Sequence, residues 1–263
     1  MLAQLKAPAG VQSEFPPKVE DFYPGPLFHG GGDWATKFTL FVWIAVAAII
    51  IFFLVTYRDP KVVPTKKQWL AESIYGFGRN TISGEMLGHD GVRFAPYLTT
   101  LFCFIAVTNF MGIIPFFQTS PNSHIAFPAF MAVITYVMFI YAGIKQNGAG
   151  KFFKNHLMPP APWFMMPFLI PIELFSTFIA RPATLALRLF ANMFAGHMIL
   201  LVFTLGGFAL LGSTNVFIKP VSLLSFAMAI ALTFLEALVA LLQAYVFTVL
   251  TASYLQGALA DEH

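Results

Sequence analysis

The chain has 263 residues, of which 58% are apolar and 10% are charged, and its mean hydropathy is +0.74. Soluble domains carry roughly 25% charged residues, so this composition excludes an ordinary soluble enzyme and predicts a polytopic membrane protein. The formal net charge of +3 is accounted for by basic loops and predicts no nucleic-acid partner. The one cysteine, Cys103, excludes an intrachain disulfide.

Residues 1–37 precede the first apolar run, and they contain five prolines and no apolar core of a secretory signal. We therefore expect an irregular N-terminal tail over 1–37 and a transmembrane domain over 38–263.

Five apolar stretches are long enough to cross the hydrocarbon core, for which a helix needs about 20 residues. The pattern predicts an all-α polytopic protein with about five crossings. The last two stretches exceed the length of one crossing and carry nearly all the ionisable residues at membrane depth. The stretches are 38–57, 94–117, 125–144, 163–211 and 216–260.

Loop charges predict the orientation, because cytoplasmic loops keep an excess of Lys and Arg near the helix ends. Three lysines face four acidic residues before residue 38, whereas 58–67 holds four basic residues and one aspartate. Loop 118–124 has no Lys or Arg, and loop 145–156 has three lysines. The sequence therefore predicts an extracytoplasmic N-terminal tail and a cytoplasmic C-terminus.

Residues 66–88 are too polar to cross, but Leu70, Ile74 and Phe77 recur at i, i+4 and i+7. This spacing predicts one interfacial helix on the cytoplasmic surface. A plain cytoplasmic linker is the alternative.

Two apparent motifs of enzymes lack their context. His29-Gly30-Gly31-Gly32 has no G-x-S-x-G nucleophile elbow to serve, and the six histidines show no metal-ligand spacing. We expect no catalytic site, metal or cofactor in this chain.

Five ionisable residues lie in segments that otherwise suit lipid, where an Arg or Asp costs about 2.5–3.5 kcal/mol at the bilayer centre. Each needs a partner, water or a function. Arg188 is the hardest to explain as packing, since it stands between Leu187 and Leu189 and a guanidinium does not lose its charge by deprotonation in proteins. The five are Glu173, Arg181, Arg188, His197 and Glu236.

On an ideal α-helix, with about 100° per residue, His197 points about 180° away from Arg188. The polar residues on the Arg188 side form one predicted stripe, within about 60° of it. They are Glu173, Thr177, Arg181, Thr184 and Asn192.

Glu236 and Gln243 are seven residues apart and share a face of the last helix. We expect Glu236 to pair with His197 across the helical hairpin. Acid, imidazole and amide groups beside a fixed cation suit a proton path that contains an electrostatic barrier.

Structural roles remain as alternatives for several of these residues. Arg181, next to a predicted kink at Pro182, would serve as an interfacial or snorkelling arginine. Asn192 would hold two helices together by a hydrogen bond, and Glu173 and Glu236 would be structural ion-pair partners.

Two strings match a known family. LRLFANMFAGH (187–197) and LLQAYVFTVLT (241–251) closely resemble the a subunits of F-type ATP synthases, bacterial type, and NFMGIIP (109–115) and PIE (171–173) continue the resemblance. It covers residue 60 to the C-terminus and leaves out the N-terminal 37 residues.

This resemblance implies a stator of the membrane sector, packed against a rotating ring of c subunits by a long, tilted C-terminal helical hairpin. Arg188 matches the essential arginine that faces the ring carboxylate, between two offset half-channels. Glu173 would serve the cytoplasmic outlet, with Arg181 and Thr184 as possible members. The inlet would use Asn192, His197, Glu236 and Gln243, with Asn109 as a weaker member.

The resemblance also implies a non-catalytic subunit without cofactors in a bacterial plasma membrane. Its partners would be the c ring, the b subunits of the peripheral stalk, other ATP synthase subunits and membrane lipid. Two alternatives are a secondary transporter that binds an anionic solute at Arg188, and a purely structural scaffold that tolerates the loss of Arg188.

Overall fold

The computed structural model describes residues 37–88, 91–114, 120–152, 165–212 and 219–259. Its elements within these ranges are all helical, which confirms the predicted all-α class. The main helices are α1 (Lys37–Thr56), α2 (Lys66–Gly76), α3 (Gly91–Ile113), α4 (Ala126–Asn147), α5 (Met166–Leu211) and α6 (Lys219–Leu259).

Five of these helices, all except α2, are long and apolar enough to cross a membrane, which confirms the predicted number of crossings. Helix formation follows from the solvent: in hydrocarbon, every backbone N–H and C=O must bond within its own segment. The predicted tail, 1–37, lies outside the described residues except for Lys37, so its irregular structure stays a prediction.

Helix α2 begins at Lys66, where the Thr65 side chain accepts a hydrogen bond from the Gln68 backbone N–H at 3.4 Å. Wider i→i+5 turns continue it over Phe77–Gly84, and a short helix, Glu85–Leu87, follows. The predicted helix over 66–88 is therefore present up to residue 87.

Leu70 is 45% exposed and Ile74 and Phe77 are half-buried, so their role as a lipid-facing surface stays a prediction. The side that packs against the protein includes Ala71 and Gly78, both buried. A Cβ on Gly78 would collide with the side chain of Thr99 in α3, so the two helices approach more closely than leucine would allow.

Helix α5 contains a segment of wider turns, Ser176–Ala180, which ends directly before Arg181 and Pro182. Proline lacks an N–H and its ring collides with the carbonyl four residues earlier, so a regular α-turn cannot be kept here. The predicted irregularity at Pro182 takes this form.

The chain forms two compact units. The first unit comprises residues up to Ala45, Val107–Ser123 and Ala191–Leu242, and the second comprises Val46–Ala106, His124–Phe190 and the residues from Gln243 onward. Helices α1, α3, α5 and α6 each contribute to both units.

In the first unit, Phe41 and Ala45 of α1 pack on Met111 of α3. In α5, Phe208 meets Phe226 of α6 edge to face, with ring centroids 5.1 Å apart, in the α5–α6 hairpin.

The core of the second unit joins the start of α3 to the ends of α4 and α6 through Phe94, Ala142 and Leu255. Phe152 fills the space left by Gly143, where a Cβ would meet its ring. The start of α3 and the ends of α4 and α6 therefore lie together. This agrees with successive helices that cross the membrane in opposite directions.

Candidate functional site

The first unit brings together two buried ionisable side chains, His197 of α5 and Glu236 of α6. The imidazole Nδ1 contacts the carboxylate Oε1, so the pairing expected from the sequence is present. Gly196 makes room for it, because a Cβ there would lie 3.2 Å from Oε1 of Glu236. Neither Nδ1 nor Oε1 has a hydrogen bond to another described group, so each atom depends on the other.

The second imidazole nitrogen of His197 is also engaged. The backbone N–H of Ser120 donates to Nε2 at 3.1 Å. An accepting Nε2 carries no proton, so the neutral ring holds its proton on Nδ1, directed at Glu236. A further proton reaches Nε2 only if the Ser120 N–H gives way.

Ser120 belongs to a buried polar network between the loop at residues 120–123 and the end of α3. Its hydroxyl donates to the carbonyl of Thr108 at 3.0 Å. The Asn122 amide donates to Thr108 Oγ1 at 2.8 Å and to Asn109 Oδ1 at 2.7 Å. The loop is thus fixed to α3 by hydrogen bonds that the low dielectric of the interior strengthens.

Asn109 connects this network to the last helix, since its amide donates to the carbonyl of Ala240 in α6 at 3.2 Å. Its side chain is fully buried. Sequence reasoning named Asn109 but missed Ser120, Asn122 and Thr108. In the sequence, these residues appear as an uncharged polar loop and as a Thr-Asn pair within an apolar run. The loop entered the sequence analysis only as evidence for the orientation of the chain in the membrane.

The second unit holds another polar group, on α5. The Thr177 hydroxyl donates to Oε1 of Glu173 at 3.1 Å, and an Arg181 nitrogen lies 3.8 Å from the same oxygen. The Arg181 guanidinium also lies 5.9 Å from the ring centroid of Tyr254. Arg181 therefore has two partners, although its ion pair is about one-third exposed and contributes only about 0–1 kcal/mol.

Three members of the predicted stripe around Arg188 lie together, since Thr177 and Arg181 both contact Glu173. Thr177 is fully buried whereas Thr184 and Arg188 are exposed. The wider turns over Ser176–Ala180 advance less per residue than the 100° that the prediction assumed, so the full stripe stays a prediction.

Arg188 is exposed on α5 between Leu187, which is 50% exposed, and Leu189, which is buried. No carboxylate of the described residues lies within ion-pair distance of its guanidinium. A cation that cannot be neutralised thus stands on a face that otherwise suits lipid.

Three candidates remain to be described: Asn192, Gln243 and Thr184. Asn192 is half-buried and Gln243 is buried. The Thr184 hydroxyl donates to the carbonyls of Ala180 and Arg181, at 2.7 and 3.0 Å, within its own helix.

The family model described as the ATP synthase A chain matches residues 39–256, which include every candidate residue. The chain belongs to this family. Curated relatives called ATP synthase subunit a include the protein of Parafrankia sp., which is 46% identical over 243 residues, 92% of this chain and 80% of the relative.

Two further relatives carry the same name. The Pseudarthrobacter chlorophenolicus protein is 42% identical over 264 residues, 98% of this chain and 99% of the relative. The Streptomyces lividans protein is 39% identical over 256 residues, 94% of this chain and 88% of the relative. The secondary-transporter alternative has no support among these relatives.

Membership makes the chain a non-catalytic, multi-pass membrane subunit of ATP synthase, whose partners are other subunits of that complex.

Proposed function

We propose that this ATP synthase subunit conducts protons to a ring of c subunits through two offset half-channels, with Arg188 as the fixed charge between them. Family membership supports the role in proton translocation. The observation that carries the mechanism is the exposed guanidinium of Arg188, which lacks a carboxylate partner among the described residues.

The missing counter-charge comes from a neighbouring subunit. A carboxylate on the c ring pairs with Arg188 while it is deprotonated. It enters lipid only after protonation, because an unpaired charge there is too costly. The ring therefore advances only after taking up a proton, and the arginine repels protons that would otherwise pass straight between the half-channels.

The face of α5 around Arg188 suits a close approach by another helix. On an ideal α-helix, Ala191 and Ala195 fall within about 60° of Arg188, and small residues let transmembrane helices pack closely. The ring carboxylate reaches the guanidinium across this face.

The inlet half-channel uses the His197–Glu236 pair. The imidazole passes its Nδ1 proton to the Glu236 carboxylate, and the ring takes up the next proton at Nε2 when the Ser120 N–H gives way. Asn109 holds the α6 backbone beside the pair. We assign Asn192 and Gln243 to the same path as amides that position water.

The outlet half-channel uses Glu173. Thr177 and Arg181 hold its carboxylate, so the group is preorganised and partly exposed, as proton release requires. Thr184, exposed one turn before Arg188, lines the same side.

The loop charges place the tail, 1–37, outside a bacterial plasma membrane and the C-terminus in the cytoplasm, with 38–263 as the channel domain. The b subunits of the peripheral stalk hold the chain against the torque of the ring. Each proton that crosses contributes about 2.3 kcal/mol per 100 mV, and the ring combines several into one ATP.

ATP-driven acidification of inverted vesicles tests the mechanism in the intact synthase. Arg188→Ala and Arg188→Lys should both reduce pumping to background, since lysine lacks the planar guanidinium and loses its charge more readily. Arg58→Ala, which removes an exposed arginine outside the helices, should pump normally. Normal pumping by both Arg188 variants would contradict the mechanism and would favour the alternative in which the chain is a purely structural scaffold.

A further inference from the structure

A cavity of about 150 Å³ lies in the second unit, lined by the first turn of α3, the last turns of α4 and the end of α6. Phe94, Met138 and Leu259 contribute apolar surface to it, and Arg93 and Lys145 contribute two cations. Three helices long enough to cross a membrane begin or end here. The cavity therefore lies where hydrocarbon gives way to water.

Among the described residues, the two cations of this cavity have few partners. Neither Arg93 nor Lys145 pairs with a carboxylate of the described residues, and both side chains are exposed. The Lys145 ammonium donates to the Tyr141 hydroxyl at 3.3 Å, and the Arg93 guanidinium lies 5.8 Å from the ring centroid of Phe94. Since an ammonium has three donors and a guanidinium five, most of the donors remain for a ligand.

We propose that this cavity binds an anionic phospholipid, with Arg93 and Lys145 on the phosphate and the apolar wall against the start of an acyl chain. Charge complementarity selects a phosphate, which guanidinium groups bind through paired hydrogen bonds. The wall of Phe94, Met138 and Leu259 selects the lipid over a free phosphate, because only the lipid covers that apolar surface. Basic pockets between transmembrane helices bind anionic headgroups for the same reasons.

The acidic residues Asp261 and Glu262 follow Leu259 closely in the chain and lie outside the described residues. The test therefore uses the full chain, which contains both acidic residues. A full chain without any preference for anionic lipid would overturn the proposal.

Native mass spectrometry of the full chain in a neutral detergent gives the test. The probes are phosphatidylglycerol, phosphatidylcholine and glycerol phosphate. The unmodified chain should prefer phosphatidylglycerol, and Arg93→Gln/Lys145→Gln should lose about 30-fold of that preference, as two basic side chains at a membrane surface imply. The single variant Lys145→Gln should lose about five-fold of the preference for phosphatidylglycerol. This variant tests the site if the double variant unfolds.

Arg58→Gln/Lys67→Gln is the matched control, because it removes the same two charges from exposed positions outside the cavity. It should keep the preference. An equal loss in this control would show that net charge alone attracts the lipid and would overturn the site. Equal binding of glycerol phosphate, displaced by the same double change, would show a free-phosphate site and overturn the lipid.

Discussion

At the scale of single residues, the position of His197 depends on a glycine. A Cβ on Gly112 of α3 would collide with Nε2 of His197 and lie 3.0 Å from the Cβ of Ser120. The imidazole cannot move aside without breaking its contact with Glu236 or its bond from the Ser120 N–H. Gly112 is therefore a positioning residue for the pair to which we assign proton transfer.

Gly112→Ala should lower the stability of the chain by about 1–3 kcal/mol, the usual cost of overpacking, and slow ATP-driven pumping. Gly257→Ala is the control, since nothing lies within 4 Å of a Cβ there. It should be neutral or stabilising by up to about 1 kcal/mol, because alanine favours a helix interior. Thermal unfolding and vesicle acidification measure both effects. Equal behaviour of the two variants would refute the crowding at His197.

The His197–Glu236 pair predicts strong coupling between two mutations. Because each buried atom has only the other as partner, His197→Ala removes most of what Glu236→Ala would remove. We express each loss of pumping as an increase in activation free energy. The sum of the increases for the two single variants should exceed the increase for the double variant by about 0.5–3 kcal/mol. Additive losses in the vesicle assay would indicate that the two groups act separately.

At the scale of elements, the connection between α1 and α2 is fixed by Gln68, a buried amide on a polar helix. Its side chain donates to the Lys61 carbonyl at 2.9 Å and to Glu72 at 2.8 Å, and accepts from the Lys61 N–H at 3.1 Å. The link at residues 57–65 is thereby folded back onto the first turn of α2.

Gln68→Ala should loosen this link, because hydrogen bonds of this kind contribute about 0.5–1.5 kcal/mol each. Trypsin should then cleave between Arg58 and Lys67 several-fold faster in inverted vesicles, as local opening becomes more frequent. Gln256→Ala, at an exposed glutamine, is the control and should leave the rate unchanged. Identical rates for both variants would mean that Gln68 does not hold the link.

Also at the scale of elements, α5 shows where periodicity is a sufficient guide and where it is not. From Arg181 onward the helix is regular, and His197 is buried whereas Arg188 is exposed, as the 100° rule predicts for opposite faces. Before Arg181 five residues adopt wider turns, to which the rule of 100° per residue does not apply, and Thr177 among them is buried. Pro182 signals an irregularity but not its type.

At the scale of the whole molecule, the orientation in the membrane rests on loop charges and is open to a direct test. Val62 is fully exposed in the link after α1, and Gly212 is exposed after α5. An impermeant maleimide should label Val62→Cys in inverted vesicles only, and Gly212→Cys in right-side-out vesicles only. The native Cys103 is buried and gives the background. The reverse pattern would invert the assigned topology.

The sequence by itself determined the membrane class, the five crossing helices and the residues that need partners. In hydrocarbon every backbone polar group must be hydrogen-bonded within the protein, which an apolar run of about 20 residues achieves as a helix. The cost of a buried charge can be estimated from one residue and its neighbours. The same local strings, 187–197 and 241–251, carried the family resemblance.

Only the tertiary structure decided which groups those residues meet. Ser120 reaches His197 from 77 positions away, and Asn109 reaches Ala240 from 131 positions away. In both contacts one partner is a backbone N–H or C=O group. Because almost every residue has these groups, no pattern of side chains in the sequence predicts which backbone group a given side chain will contact. Arg188 is the converse case: the sequence showed a charge that needs a partner, and the described residues supply no carboxylate for it. Our proposal therefore assigns that partner to another subunit.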